Sequence, residues 1–133
     1  GVGITSSVTL ADPWPPEVEI FGISGGRTNR YSATYAYRPS PGASTQYVNV
    51  GDDAVDLSAD FHVYGLDWQE DRLVFYLDGQ RIGERTEGVG TLQTPMRIEV
   101  KTHIATEGGP KPDATTVFPL FYEIDWIRVW KRS

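Results

Sequence analysis

The feature that most restricts how this chain can fold is the run Leu73-Val-Phe-Tyr-Leu77, Asp78-Gly79, Gln80-Arg-Ile-Gly-Glu-Arg85. Two strand-forming runs separated by Asp-Gly predict an antiparallel hairpin closed by a type I′ turn, because both central positions of that turn need positive φ. An isolated hairpin is marginal in water and needs more strands or a covering layer. The rest of the chain offers them. Residues 2–10, 17–21, 31–37, 45–50, 61–68, 96–104 and 120–130 read as further strands, divided by clusters of Gly, Pro, Asn and Asp. Segment 22–30, with its glycines and Asn29, reads as a loop, as do 38–44 and 88–93. No helix-period segment, internal repeat or low-complexity tract interrupts the order. About nine short strands predict an all-β chain built as an antiparallel β-sandwich or barrel.

A chain of 133 residues suits one domain, 1–133, with its own core. A net charge of −6 argues against nucleic acid, whose binding rests on Lys and Arg contacts to phosphate. The absence of cysteine excludes disulfides, a thiol nucleophile and thiolate metal sites. No apolar run is long enough for a membrane helix, so no membrane partner is expected. Gly1 rather than Met at the start leads us to expect a chain processed or cut from a longer one.

The chemistry is sought in Trp14-Pro-Pro-Glu17-Val-Glu19-Ile-Phe21-Gly22. Strict alternation places Glu17, Glu19 and Phe21 on one face of a strand and Val18 and Ile20 on the other. Two acids roughly 6.5–7 Å apart along a strand raise each other's pKa. Retaining glycosidases use a pair of carboxyls about 5–5.5 Å apart across one bond; a solvated strand face accounts for the same two glutamates without chemistry. Tyr31, Ala33, Tyr35 and Tyr37 share a face, which suits either a core or a platform on which sugar rings stack. Arg97, Glu99, Lys101 and His103 form a charged row backed by Met96, Ile98, Val100 and Ile104. Asp52, Asp53, Asp56 and Asp60 lack the spacing of an EF-hand and read as a solvated loop. His62 reads as structural, and Trp126 and Trp130 read as core. The Gly/Pro-rich segment 105–116 is a long loop of the kind that carries function on a β-scaffold.

The stretch from Trp14 to Gly22 resembles the active-site strand of glycoside hydrolase family 16, whose pattern runs Glu, any residue, Asp, two residues, Glu. The resemblance continues in order through Ser24-Gly-Gly-Arg-Thr-Asn29, Tyr35-Ala-Tyr37, Asp56-Leu-Ser-Ala-Asp-Phe-His62-Val-Tyr-Gly-Leu-Asp-Trp68, the Asp78-Gly79 hairpin, Thr94-Pro-Met96 and Tyr122-Glu-Ile-Asp125-Trp-Ile-Arg-Val-Trp130. It implies a concanavalin A-like jelly roll whose concave face binds a polysaccharide. It also implies a secreted or periplasmic setting and retaining endo-hydrolysis or transglycosylation of β-glucans or galactans, with no cofactor required. By position Glu17 matches the nucleophile and Glu19 the helper Asp, while Gly22 falls where the acid/base Glu belongs. In an unbulged strand Phe21 would hold that place, and neither residue can donate a proton. Ala36 stands where the family often has a histidine. Asp125 matches a position that helps hold a structural calcium.

Polysaccharide contacts are expected from Trp14, Tyr35 and Tyr37 as stacking surfaces and from Arg97, Glu99, Lys101 and His103 as polar partners. The chain is shorter than the family's usual domain and begins just before the active-site strand. Its sandwich is therefore expected to be incomplete and to expose apolar surface until a preceding segment or a homo-oligomer covers it. Three functions follow. One is a polysaccharide-recognising domain that has lost its acid/base. The second is a retaining endo-glycosidase with Glu17 as nucleophile and Glu19 or His103 assisting, and the third is an assembly module without a sugar ligand.

Overall fold

The structure, a computed structural model, describes residues 14–53, 56–104, 112–119 and 121–131, together with the backbone of 2–9. Two antiparallel ladders organise it. The larger has five strands in the order β4-β3-β2-β1-β8, formed by Gln46–Asp53, Arg27–Tyr37, Glu17–Ser24, Val2–Thr9 and Arg97–Ile104. The smaller has three, β5-β6-β7, formed by Tyr64–Trp68, Leu73–Leu77 and Gln80–Arg85. This is the all-β antiparallel sandwich that the strand pattern predicts.

The hairpin turns as expected, with Asp78 at φ 50° and Gly79 at φ 79°. Asp78 also ties the turn to the start of β5. Its N–H donates to the Val63 carbonyl at 2.8 Å and its Oδ1 accepts from the Val63 N–H at 2.8 Å. His62 Nδ1 lies 2.7 Å from Asp78 Oδ2, which gives that histidine a structural place. Segment 22–30 is not a loop. β2 runs to Ser24 and β3 starts at Arg27, leaving Gly25-Gly26 as a two-residue turn. Glycines that read as loop signals here serve a tight hairpin, where two residues are enough.

A β-bulge in β2 decides which side chains face the core. Glu19 pairs with Thr34 and Gly22 with Ser32, so β2 has one residue more than β3 between these pairs. The extra residue reverses the alternation. Phe21 therefore joins Val18 inside, 6 % exposed, instead of sharing a face with Glu17 and Glu19. Its ring stacks on Tyr64 at 4.0 Å between centroids. The bulge is pinned from β3, since the Tyr31 hydroxyl donates to the Ile20 carbonyl at 2.7 Å and Ser32 Oγ donates to the Gly22 carbonyl at 2.8 Å.

Between the sheets, Val18, Phe21, Tyr31, Ala33, Tyr35 and Val50 meet Leu73, Phe75 and Leu77. Val89 and Leu92, both fully buried on the 3-10 turn Val89–Leu92, close one end. That turn begins at Gly88, whose φ of 68° suits glycine and whose added Cβ would run into the Tyr37 ring.

The expected last strand is the main correction to the architecture. Residues 121–131 pair with neither sheet, and only Tyr122 of this stretch packs against the core. Trp126 and Trp130, expected inside, are 43 % and 76 % exposed. An alternating stretch becomes a strand only when a ladder partner accepts its backbone groups, and none of the described residues does so. Ile98 and Ile104, on the apolar row of β8, are also uncovered, at 43 % and 48 % exposed. Residues 105–111, most of the predicted functional loop, and 11–13, the predicted end of the first strand, lie outside the described residues.

Candidate active-site groove

On the face of the large sheet turned away from the core, Glu17, Glu19, Thr34, Ala36, Tyr47, Lys101 and His103 line a groove of about 420 Å³. Strand register explains why these side chains meet. Glu17 opposes Ala36, which opposes Tyr47, and Glu19 opposes Thr34, which opposes Asn49. Through β1, Gly22 is aligned with Thr5 and Thr5 with Lys101, while Gly3 is aligned with His103. Four strands thus contribute side chains to one depression.

Each acid has distinct surroundings. The Trp14 indole N–H donates to Glu17 Oε2 at 3.0 Å and holds that carboxylate at the end of β2. Glu19 sits deeper. Burial, followed by the charge of Glu17, pushes its carboxyl up to about 7, with Lys101 opposing. The bulge sets Gly22 on the groove side next to Glu19, since a Cβ added there would meet Glu19 Oε1 at 3.1 Å and Ser32 Oγ at 3.2 Å. Of the two residues weighed for the third place of the motif, Gly22 faces the groove and Phe21 is buried in the core. On β8, Glu99 lies between Lys101 at 3.4 Å and Arg97 at 3.7 Å, so the charged row is largely neutralised within itself.

Glu17, Glu19, Lys101 and His103 are therefore gathered in one groove. Arg97 and Glu99 extend the same row beyond it. Tyr35 and Tyr37, expected as stacking surfaces, are not in the groove. Tyr35 is fully buried, donates its hydroxyl to the Glu87 carbonyl at 2.7 Å, and stacks with Tyr37, which packs against the core. Their row continues Tyr31 and Ala33 and covers the inner face of the sheet. Tyr47 provides the aromatic wall instead, 60 % exposed with its ring 6.4 Å from Trp14. Sequence reasoning missed Tyr47 and Thr34, while Ala36, which stands where the family often has an active-site histidine, does line the groove. The available signal was phase, because Tyr47 alternates with Val48 and Val50, and Thr34 and Ala36 alternate with the buried tyrosines.

The expected calcium ligand Asp125 has no carboxylate or histidine cluster beside it among the described residues. Asp125 stands on the unpaired stretch 121–131, and no three His, Cys, Asp or Glu side chains among the described residues converge as a metal site. A second depression, of about 820 Å³, lies among the turns beside β5 and β7, lined by Trp68, Gln69, Glu70, Asp71, Thr86 and Gly90. It gathers no set of groups from facing strands.

Comparison with known proteins agrees with the motif order. Residues 1–128 match the family described as Glycosyl hydrolases family 16. A β-glucanase of Bacillus licheniformis is 30 % identical over 142 aligned positions, covering 98 % of this chain and 54 % of that protein. The Congo red hypersensitive protein 1 of Saccharomyces cerevisiae is 35 % identical over 101 residues, covering 74 % of this chain and 19 % of that protein. The endo-β-1,3-glucanase structure from Pyrococcus furiosus superposes with a TM-score of 0.71 at 26 % identity, covering 90 % of this chain and 51 % of that one. The chain thus spans between about a fifth and about half of the length of these relatives.

Proposed function

The chain belongs to glycosyl hydrolase family 16, and from that membership we propose that its groove recognises a β-linked glucan without hydrolysing it efficiently. One observation carries the reading. The bulge in β2 puts Glu17, Glu19 and residue 22 along the groove, and residue 22 is a glycine. A retaining mechanism needs a nucleophile and a proton donor on opposite sides of the scissile bond. Glu17, oriented by Trp14, keeps the first place. The third offers no proton, and loss of a positioned general acid costs roughly 10²–10⁴-fold. Binding has more to work with, since Trp14 and Tyr47 present exposed aromatic surface and Lys101, His103 and Thr34 present polar atoms beside them.

The glucan class is supported by the names of matched relatives, which include β-glucanases and an endo-1,3-1,4-β-glycanase of Rhizobium meliloti. Galactans are the alternative class. A polymeric ligand of this kind is met outside the cytoplasm, so secretion or a periplasmic site goes with the reading. No helix among the described residues is long and apolar enough to cross a membrane.

The test is reducing-end release from β-1,3-glucan, mixed-linkage β-1,3-1,4-glucan and red-algal galactans by the parent, Glu17→Gln and Gly22→Glu. The expected result is binding without release by the parent, with release appearing in Gly22→Glu. Parent release that disappears in Glu17→Gln would instead establish a working hydrolase whose acid comes from another group. Glu19 is the first candidate for that group, because it holds its proton to near neutral pH.

A further inference from the structure

Glu19 differs from the other charged groups of the groove. Its Oε1 and Cδ lie 3.1 Å and 3.4 Å from the point where a Cβ on Gly22 would stand, so the carboxyl rests against the space that glycine leaves open. Its neighbours are otherwise engaged. Lys101 is paired with Glu99, the Trp14 N–H with Glu17, Thr34 Oγ1 with Asn49, and Ser32 Oγ with the Gly22 carbonyl. Among the described residues, Glu19 itself has neither a hydrogen bond nor an ion pair. A half-buried carboxyl without a partner is costly as an anion, while as an acid it keeps one O–H to donate.

We propose that Glu19, lying in the space left by Gly22, is the groove's hydrogen-bond donor to an oxygen of a neutral glucan, and that the groove binds through the acid form and weakens when Glu19 ionises. This rests on the glucan reading above. The groups facing Glu19 are Glu17 on its own strand, Lys101 and His103 across β1, and Tyr31 from below the bulge. Burial and Glu17 favour the proton and Lys101 disfavours it, which places the change near pH 7. The missing side chain at position 22 therefore gives the floor of the groove a second role, as a pH-dependent donor.

The experiment is calorimetric titration with a mixed-linkage β-1,3-1,4-glucan hexasaccharide at pH 6, 7 and 8, using the parent and Glu19→Gln. An amide donates like the acid but does not ionise. The expected result is that parent affinity falls about tenfold from pH 6 to pH 8, while Glu19→Gln keeps a flatter profile. Contributions from Glu17, Lys101 and His103 remain in both proteins, so the difference between them isolates Glu19. Parallel profiles would overturn the donor role and leave glucan recognition standing; no binding by either protein at any pH would overturn both. Carbon-13 NMR of the Glu19 carboxyl in the parent adds a readout that needs no variant. Its titration midpoint rises when the hexasaccharide is added, and a midpoint that stays or falls overturns the proposal.

Discussion

β2 and the segment 121–131 carry the same kind of sequence, short apolar and charged residues in alternation with aromatics among them, yet the fold treats them in opposite ways. β2 is paired on both sides, by β1 and β3, and its inward residues Val18 and Phe21 are almost wholly buried. The backbone of 121–131 pairs with none of the described residues, and Trp130 is 76 % exposed. Alternation describes which side chains would share a face. It does not provide the neighbouring strand that makes the face matter. β2 shows a further limit, because its ladder contains a bulge, and Phe21 follows the reversed phase rather than the one that simple alternation gives.

The sharpest way to break this contrast is Phe21→Ala. If Phe21 fills the core through the bulge, its removal costs about 3–5 kcal/mol in denaturant unfolding. A cost below about 1 kcal/mol would return Phe21 to the groove face and undo the placement of Gly22.

The pH dependence of stability tests the opposite side of the same strand. Glu19 moves from 4.5, its ordinary value, to about 7 in the folded chain, so between these values the native state holds more protons than the unfolded one. Stability therefore falls as pH rises from about 4.5 to 7 and levels off above it, by about 2 kcal/mol once solvent screening is allowed for. Glu19→Gln should remove that slope, as read by unfolding midpoints across the range.

Tyr31→Phe is expected to have a smaller effect, about 1 kcal/mol, because it leaves the Ile20 carbonyl of the bulge without its hydroxyl donor. Amide hydrogen exchange should show faster opening around residues 20–22 if that hydroxyl holds the bulge. Trp130→Ala comes last. An exposed side chain outside the sheets should cost no more than about 0.5 kcal/mol. A cost above 2 kcal/mol would place 121–131 in a sheet after all.

Much of the architecture could be read before any coordinates. Asp78-Gly79 specified its turn through the φ preferences of two residues, and the punctuation by Gly and Pro marked the existence of eight strands, though it ended β2 three residues early and began β3 four residues late. The acidic strand and the charged row of β8 were also visible as local patterns. What joined Lys101 and His103 to Glu17 and Glu19 was strand order, which places β1 between β2 and β8 although these segments are distant in sequence. The identity of the aromatic wall was equally non-local. Phase separates Tyr47 from Val48 and Val50 and groups Tyr35 with Tyr31 and Ala33, but which face of the sheet is covered, and so that Tyr35 is inside and Tyr47 outside, depends on the position of the second sheet. Local sequence sets backbone preferences and periodicity, since both depend on neighbours along the chain. The phase of β2 after its bulge, the pairing or isolation of 121–131 and the contents of the groove depend on which strands lie beside one another, and only the tertiary structure decides that.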